Sequence, residues 1–145
     1  MPACTFFGHR ECPLSVKPKL QVMLIELIEK HGVERFYVGQ QGGFDVMVCA
    51  VLRELAERYP SVCYYIVLER LPIERGEVTR LPANTIFPEG LETVPPRWAI
   101  LRRNEWMLTR SDYVVTYITH DWGGAARFAV RAIRKGKRVI NVAEF

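Results

Sequence analysis

Four short segments gather the residue types that bind anions or move protons: Gly8-His9-Arg10, Gly39-Gln40-Gln41-Gly42-Gly43, Glu69-Arg70 and His120-Asp121-Trp122-Gly123-Gly124. A glycine pair at the start of a helix lets a ligand approach backbone N–H groups at the positive end of the helix dipole. That is the physical description of a phosphate or carboxylate site. Gly42-Gly43 and Gly123-Gly124 each precede a helix-like pattern, and Arg10 adds a cation. Neither pair spells GxxxxGK[ST] or GxGxxG. His9 and His120 are candidate acid/base groups, although a loop histidine more often only hydrogen-bonds. Trp122 stands directly before a glycine pair, where an aromatic ring can stack on a base.

A second polar set lies on the helical segment Arg97–Arg110. At 100° per residue, Ile100, Leu101, Met107 and Leu108 form an apolar stripe. Asn104 falls in its middle and Arg103 at its flank, while Arg102 and Glu105 point away. Inward polar groups need partners, because burying them unpaired is costly. Two readings stay open. In the internal one, Asn104 holds a loop backbone and Arg103 pairs with Asp45 or Glu69. In the ligand-binding one, both face a phosphate or sugar, for which arginine supplies a bidentate fork. The cysteines Cys4, Cys12, Cys49 and Cys63 form no CxxC pair and read as buried free thiols in a reducing cytoplasm. Cys4-x4-His9-x2-Cys12 fits no common zinc spacing and has no fourth ligand, so neither a metal nor a cofactor is expected.

The elements that position these residues alternate. Cys4–Phe7, Arg35–Val38, Cys63–Leu68, Tyr113–Thr119 and Arg138–Val142 read as strands. Lys17–His31, Phe44–Tyr59, Arg97–Arg110 and Gly123–Lys135 read as helices. Leu20, Met23, Leu24, Leu27 and Ile28 give the first helix its apolar face, and Gly32 stops it. The continuous apolar runs suit a parallel sheet covered on both faces. Glu69–Pro96, with five prolines, reads as an irregular segment in which 84–87 can form a short extra strand. The expected architecture is one domain over residues 1–145, an α/β three-layer sandwich with a mostly parallel sheet. All four chemical segments fall at the carboxyl ends of its strands, where open α/β sheets bind ligands.

Composition bounds the function classes. The chain has 145 residues, 49% hydrophobic and 25% charged, which excludes a disordered or low-complexity protein. No apolar run reaches the ~20 residues of a membrane span, and no secretory signal is expected at the N-terminus. The net charge of +4 is uneven. Residues 97–145 hold ten basic and four acidic side chains, against ten and twelve in residues 1–96. An anionic partner fits this asymmetry, although Arg131, Arg134, Lys135, Lys137 and Arg138 also read as a solvated helix end.

Phe7-Gly8-His9-Arg10, Gly39-x-x-Gly42-Gly43-Phe44-Asp45, Pro88-Glu89-Gly90, Arg103-Asn104-x-x-Met107 and Gly123-Gly124-Ala125-Ala126 come in the order seen in the SLOG superfamily. These are Rossmann-like domains related to the LOG phosphoribohydrolases and the DNA-processing A proteins. The chain most resembles their small single-domain bacterial members, over nearly its whole length. The resemblance implies a nucleotide-type ligand held by Gly8, His9, Arg10, Gly39, Gly42, Gly43, Asp45, Arg103, Asn104, Trp122, Gly123 and Gly124. LOG enzymes cleave the N-glycosidic bond of nucleoside 5′-monophosphates with an arginine on this helix and a GGxGTxxE motif. Arg103, Gly123 and Gly124 match, but Ala126, Arg127 and Val130 replace the third glycine, the threonine and the glutamate. A valine cannot move a proton or stabilise an oxocarbenium-like centre. The expected function is therefore nucleotide binding by a cytoplasmic sensor or binding module. The alternatives are an N-glycosidase using Asp45, Glu69 or Asp121, and single-stranded nucleic-acid binding. A homo-oligomer is expected by analogy with relatives.

Overall fold

The fold grows from two local patterns, apolar strands and helices with one buried face. In a computed structural model, residues 2–78 and 80–145 are described. The strands are β1 (Ala3–Gly8), β2 (Arg35–Val38), β3 (Cys63–Val67), β4 (Ile73–Glu74), β5 (Glu77–Val78), β6 (Thr85–Ile86), β7 (Tyr113–Tyr117) and β8 (Arg138–Asn141). The helices are α1 (Lys17–His31), α2 (Gly43–Arg58), α3 (Pro96–Thr109) and α4 (Gly124–Arg134). Six strands form one sheet in the order β6-β3-β2-β1-β7-β8, and every pairing in it is parallel. The short extra strand expected within 84–87 is β6, on the edge beside β3. The remaining two strands make a separate antiparallel hairpin, β4-β5, inside the proline-rich segment.

Strand alternation divides the core. Phe6 turns to the face covered by α1 and α2, where it joins Leu20, Leu24, Phe36, Phe44 and Val48. Phe7 turns to the opposite face, beneath α3 and α4, with Met107, Leu108, Phe128 and Ala132. These are the three expected layers. The first helix ends as its sequence dictates, since Gly32 takes a left-handed φ of 67° and both its N–H and that of Val33 donate to Leu27 O. Among the described residues no helix is long and apolar enough to cross a membrane.

Three expectations need correcting. Cys63 is exposed, because it opens β3 at the less covered side of the sheet; only Cys4 of the four thiols is buried. The strand it opens is also only half-covered for most of its length, since β6 beside it is two residues long. On α3 the buried face is Ala99, Arg103, Met107 and Leu108, while Ile100 is exposed. Arg103 is therefore central and Asn104 flanking, the reverse of the expected order, because the i, i+4, i+8 row begins at the small Ala99.

The order of the strands places the site. Connections run outward from β1 on one side and from β7 on the other, so the crevice between the carboxyl ends of β1 and β7 is the switch point where such sheets take ligands.

Candidate functional site

A cavity of about 1120 Å³ opens at that point. It is lined by segments after β1 and β7, by the start of α2, by one face of α3 and by the start of α4. Of the expected ligand residues, Gly8, His9, Arg10, Asp45, Arg103, Asn104, Trp122, Gly123 and Gly124 line it. Gly39, Gly42 and Gly43 lie behind the wall. Gly39 backs the Arg103 guanidinium, and Gly42 and Gly43 pack under the backbone of Arg10.

The two glycine pairs, alike in sequence, differ in what already occupies them. At α2, Gly43 N–H donates to Arg10 O at 2.7 Å, and the Asp45 carboxylate in the first turn accepts from Gln41 N–H at 2.8 Å. Arg10 O thus takes up the first amide of that terminus, and the Asp45 carboxyl stands in its first turn, where a ligand anion would lie. At α4 the terminus is open. Gly123 holds φ 95°, a conformation L side chains rarely adopt, and its carbonyl accepts the first helical bond from Arg127. No side chain caps the helix and its first turn holds no acidic residue. The amides of Gly124, Ala125 and Ala126 have no acceptor among the described residues. A Cβ added at Gly123 or Gly124 would meet nothing within 4 Å.

Arg103 is 1% exposed. Its Nη1 donates to Val67 O at 3.0 Å and to Glu69 Oε2 at 3.5 Å, and its Nε donates to Asn104 Oδ1 at 2.8 Å. The internal reading of this arginine is realised with Glu69, while its guanidinium also forms part of the cavity wall. Burial pulls its pKa down, with Glu69 and then Asp45 opposing that pull. Gln41, which nothing local in the sequence marks as a site residue, lines the cavity, and its Nε2 donates to Glu69 Oε1 at 3.3 Å.

Of the three candidate catalytic carboxylates, Asp45 alone faces the cavity. Glu69 is held beside Arg103, outside the lining. Asp121 faces a separate open depression with Glu105, Arg127, Val130 and Arg131. Val130 is 47% exposed there, so the position of the missing glutamate points away from the cavity.

Burial pushes the Asp45 carboxyl above the ordinary range, against the Gln41 N–H and Arg103, which favour its charged form. A carboxyl raised on folding stabilises the fold fully below its unfolded pKa of ~3.9, and that stability is lost as pH rises through the folded value. Asp45→Asn keeps an oxygen acceptor and removes the charge. It is expected to raise stability at pH 7 by about 1 kcal/mol, an ordinary size for one site. The gain should shrink to a small remainder at pH 3.5, below the unfolded pKa, where the carboxyl is largely protonated in both states. Urea denaturation at the two pH values measures this, and an Asn variant no more stable at pH 7 counts against it.

Three rings lie together at one side of the cavity. His9 and His120 stack with centroids 3.7 Å apart and planes at 12°, and His120 stacks on Trp122 at 3.7 Å and 14°. His9 Nε2 accepts from Thr119 N–H at 2.9 Å, and His120 Nδ1 donates to Trp122 O at 3.0 Å. Desolvation first, and the neighbouring His120 second, lower the His9 pKa. The loop that carries His120 is anchored by Asn141, whose side chain donates to Ile118 O at 2.9 Å and accepts from Ile118 N–H at 3.0 Å. Asn141, Thr119 and Tyr117 were not singled out from the sequence, since nothing local marks them.

Among the described residues no cluster of three or more His, Cys, Asp or Glu side chains could hold a metal ion. Fold and cavity together define a parallel α/β sandwich with a crevice at its switch point. No protein-family model matches the chain, and no curated protein matches it.

Proposed function

We propose that this protein binds a nucleotide or nucleotide-derived small molecule in the crevice between β1 and β7, as a sensor or binding module. The observation that carries this reading is the open N-terminus of α4, whose Gly124 and Ala125, with amides unpaired among the described residues, line a cavity of about 1120 Å³. Backbone N–H groups at a helix start are suited to a phosphate. Asn104 and Gln41 offer amide groups to the hydroxyls of a sugar, and Arg10 adds a cation at the rim. Arg103 belongs to the framework of the cavity, because Glu69 already balances its charge. The likeness of Arg103-Asn104 and Gly123-Gly124 to the SLOG motifs supports the same ligand class.

Thermal unfolding with a panel of nucleoside monophosphates tests the reading. A ligand at 100 times Kd stabilises by about 2.7 kcal/mol, which is roughly 5–11 °C in Tm for a chain of this size. Gly124→Asp is the informative variant. Its carboxylate has room, complements the helix dipole, and takes the place of the phosphate. The variant should be at least as stable as wild type and show no ligand shift. No shift with any monophosphate, or an undiminished shift in Gly124→Asp, overturns the proposal. Chromatography of the incubated nucleotides separates binder from N-glycosidase, since only hydrolysis releases free base. Asp45 is the carboxylate on which such hydrolysis would depend.

A further inference from the structure

The three stacked rings form a continuous aromatic ladder at the rim of the crevice. A surface tryptophan is unremarkable when it stands alone. Trp122 does not stand alone, for it is 69% exposed yet held parallel to His120, which in turn lies parallel to His9. Each imidazole is fixed by a hydrogen bond to backbone, and the His9 main-chain N–H donates to Tyr117 O at 3.2 Å. The ladder therefore ends in an indole with one face covered by His120, and Trp122 lines the cavity.

We infer that the His9–His120–Trp122 ladder is a stacking platform for the flat ring of the ligand. This rests on the nucleotide reading above and adds the ring and its reach. Flat π-systems held in advance lose little freedom when another ring joins them, and every base presents a face that can stack. The chain fixes the distance to the phosphate. Trp122 is two residues from Gly124, at most ~7 Å of extended backbone, so one pentose is a fitting link between a stacked ring and a phosphate at the α4 amides. Asn104 and Gln41 lie on the same cavity wall for the sugar hydroxyls.

Isothermal titration with adenosine 5′-monophosphate and with ribose 5-phosphate tests this on the whole protein. The sugar phosphate keeps the anion and lacks the ring. Wild type should bind the nucleotide roughly tenfold or more tightly than the sugar phosphate, the size of one stacked base. Trp122→Ala should bring the two ligands within about twofold of each other while leaving ribose 5-phosphate affinity unchanged. Trp122→Phe should retain part of the preference. Because Trp122 is exposed, its variants should unfold at the wild-type Tm, which the same samples report. Equal affinities in wild type, or a Trp122→Ala variant that weakens both ligands alike, overturn the ring platform and leave the anion site standing. If neither ligand binds, the platform and the nucleotide reading fall together.

Discussion

Arg103→Ala is expected to destabilise the protein by about 3–5 kcal/mol, the cost of removing one partner of a buried ion pair. The guanidinium is enclosed, and it satisfies Val67 O, Glu69 Oε2 and Asn104 Oδ1 together. Truncation would leave Val67 O and Glu69 Oε2 without their donor and open a void against Gly39, whose Cα face the guanidinium covers. Lysine would not restore the set, having no planar fork to reach three acceptors. The double substitution Arg103→Met with Glu69→Gln should recover a large part of the loss, because it removes the unpaired charge and fills the space. Urea denaturation at pH 7 measures all three chains. A loss below ~1 kcal/mol in Arg103→Ala would mean that the arginine is a ligand-facing group and not part of the frame. For the same reason, weak binding by an Arg103 variant would report on folding as much as on recognition.

Gly8→Ala should cost about 3 kcal/mol, at the upper end of the range for overpacking. An added Cβ at Gly8 would overlap Cδ2 and Cγ of the Phe44 ring and lie 2.8 Å from the Phe44 Cβ. That ring cannot move aside. Phe44 is fully buried, lies between Phe6 and Tyr117, and stands on the first turn of α2. The expected fall in Tm is roughly 6–12 °C. Phe44→Leu in the Gly8→Ala background should return part of it, as neighbours that share space do not act additively. A Gly8→Ala chain that melts with wild type would refute this close approach. Gly8, at the floor of the cavity, is thus required first for packing β1 against α2.

How much of this could be read in advance follows the range of each interaction. The face of α1 and its stop at Gly32 are local, and the sequence states them completely. Alternation of strand and helix patterns is enough for the three layers and for parallel pairing. The central place of Arg103 was missed by one position, because an apolar stripe drawn from large residues overlooks Ala99. The two glycine pairs could not be ranked from their spelling. What separates them is Arg10 O reaching Gly43, 33 residues away, and Asp45 turning back to Gln41. The stacked histidines depend on the register that sets Gly8 beside Tyr117. No periodicity encodes that register, although both histidines and Trp122 were recognisable singly at strand ends. Cys63 read as buried because its strand is apolar, whereas exposure there is decided by which strands lie at the sheet edge.

The central position of β1 also has a consequence for how the chain is made. Its Ala3 N–H donates to Asp112 Oδ2 across 109 residues, beside the β1–β7 pairing. At ~5–20 residues per second, a growing chain carries β1 for roughly 5–20 s before β7 has been synthesised. During that time β1 has β2 on one side and nothing on the other. A chain stalled before β7 presents that side of β1 as a strand edge open to a second molecule. The crevice likewise lacks the walls that β7 and α4 supply until they emerge, so any molecule that fits it would meet finished chains alone.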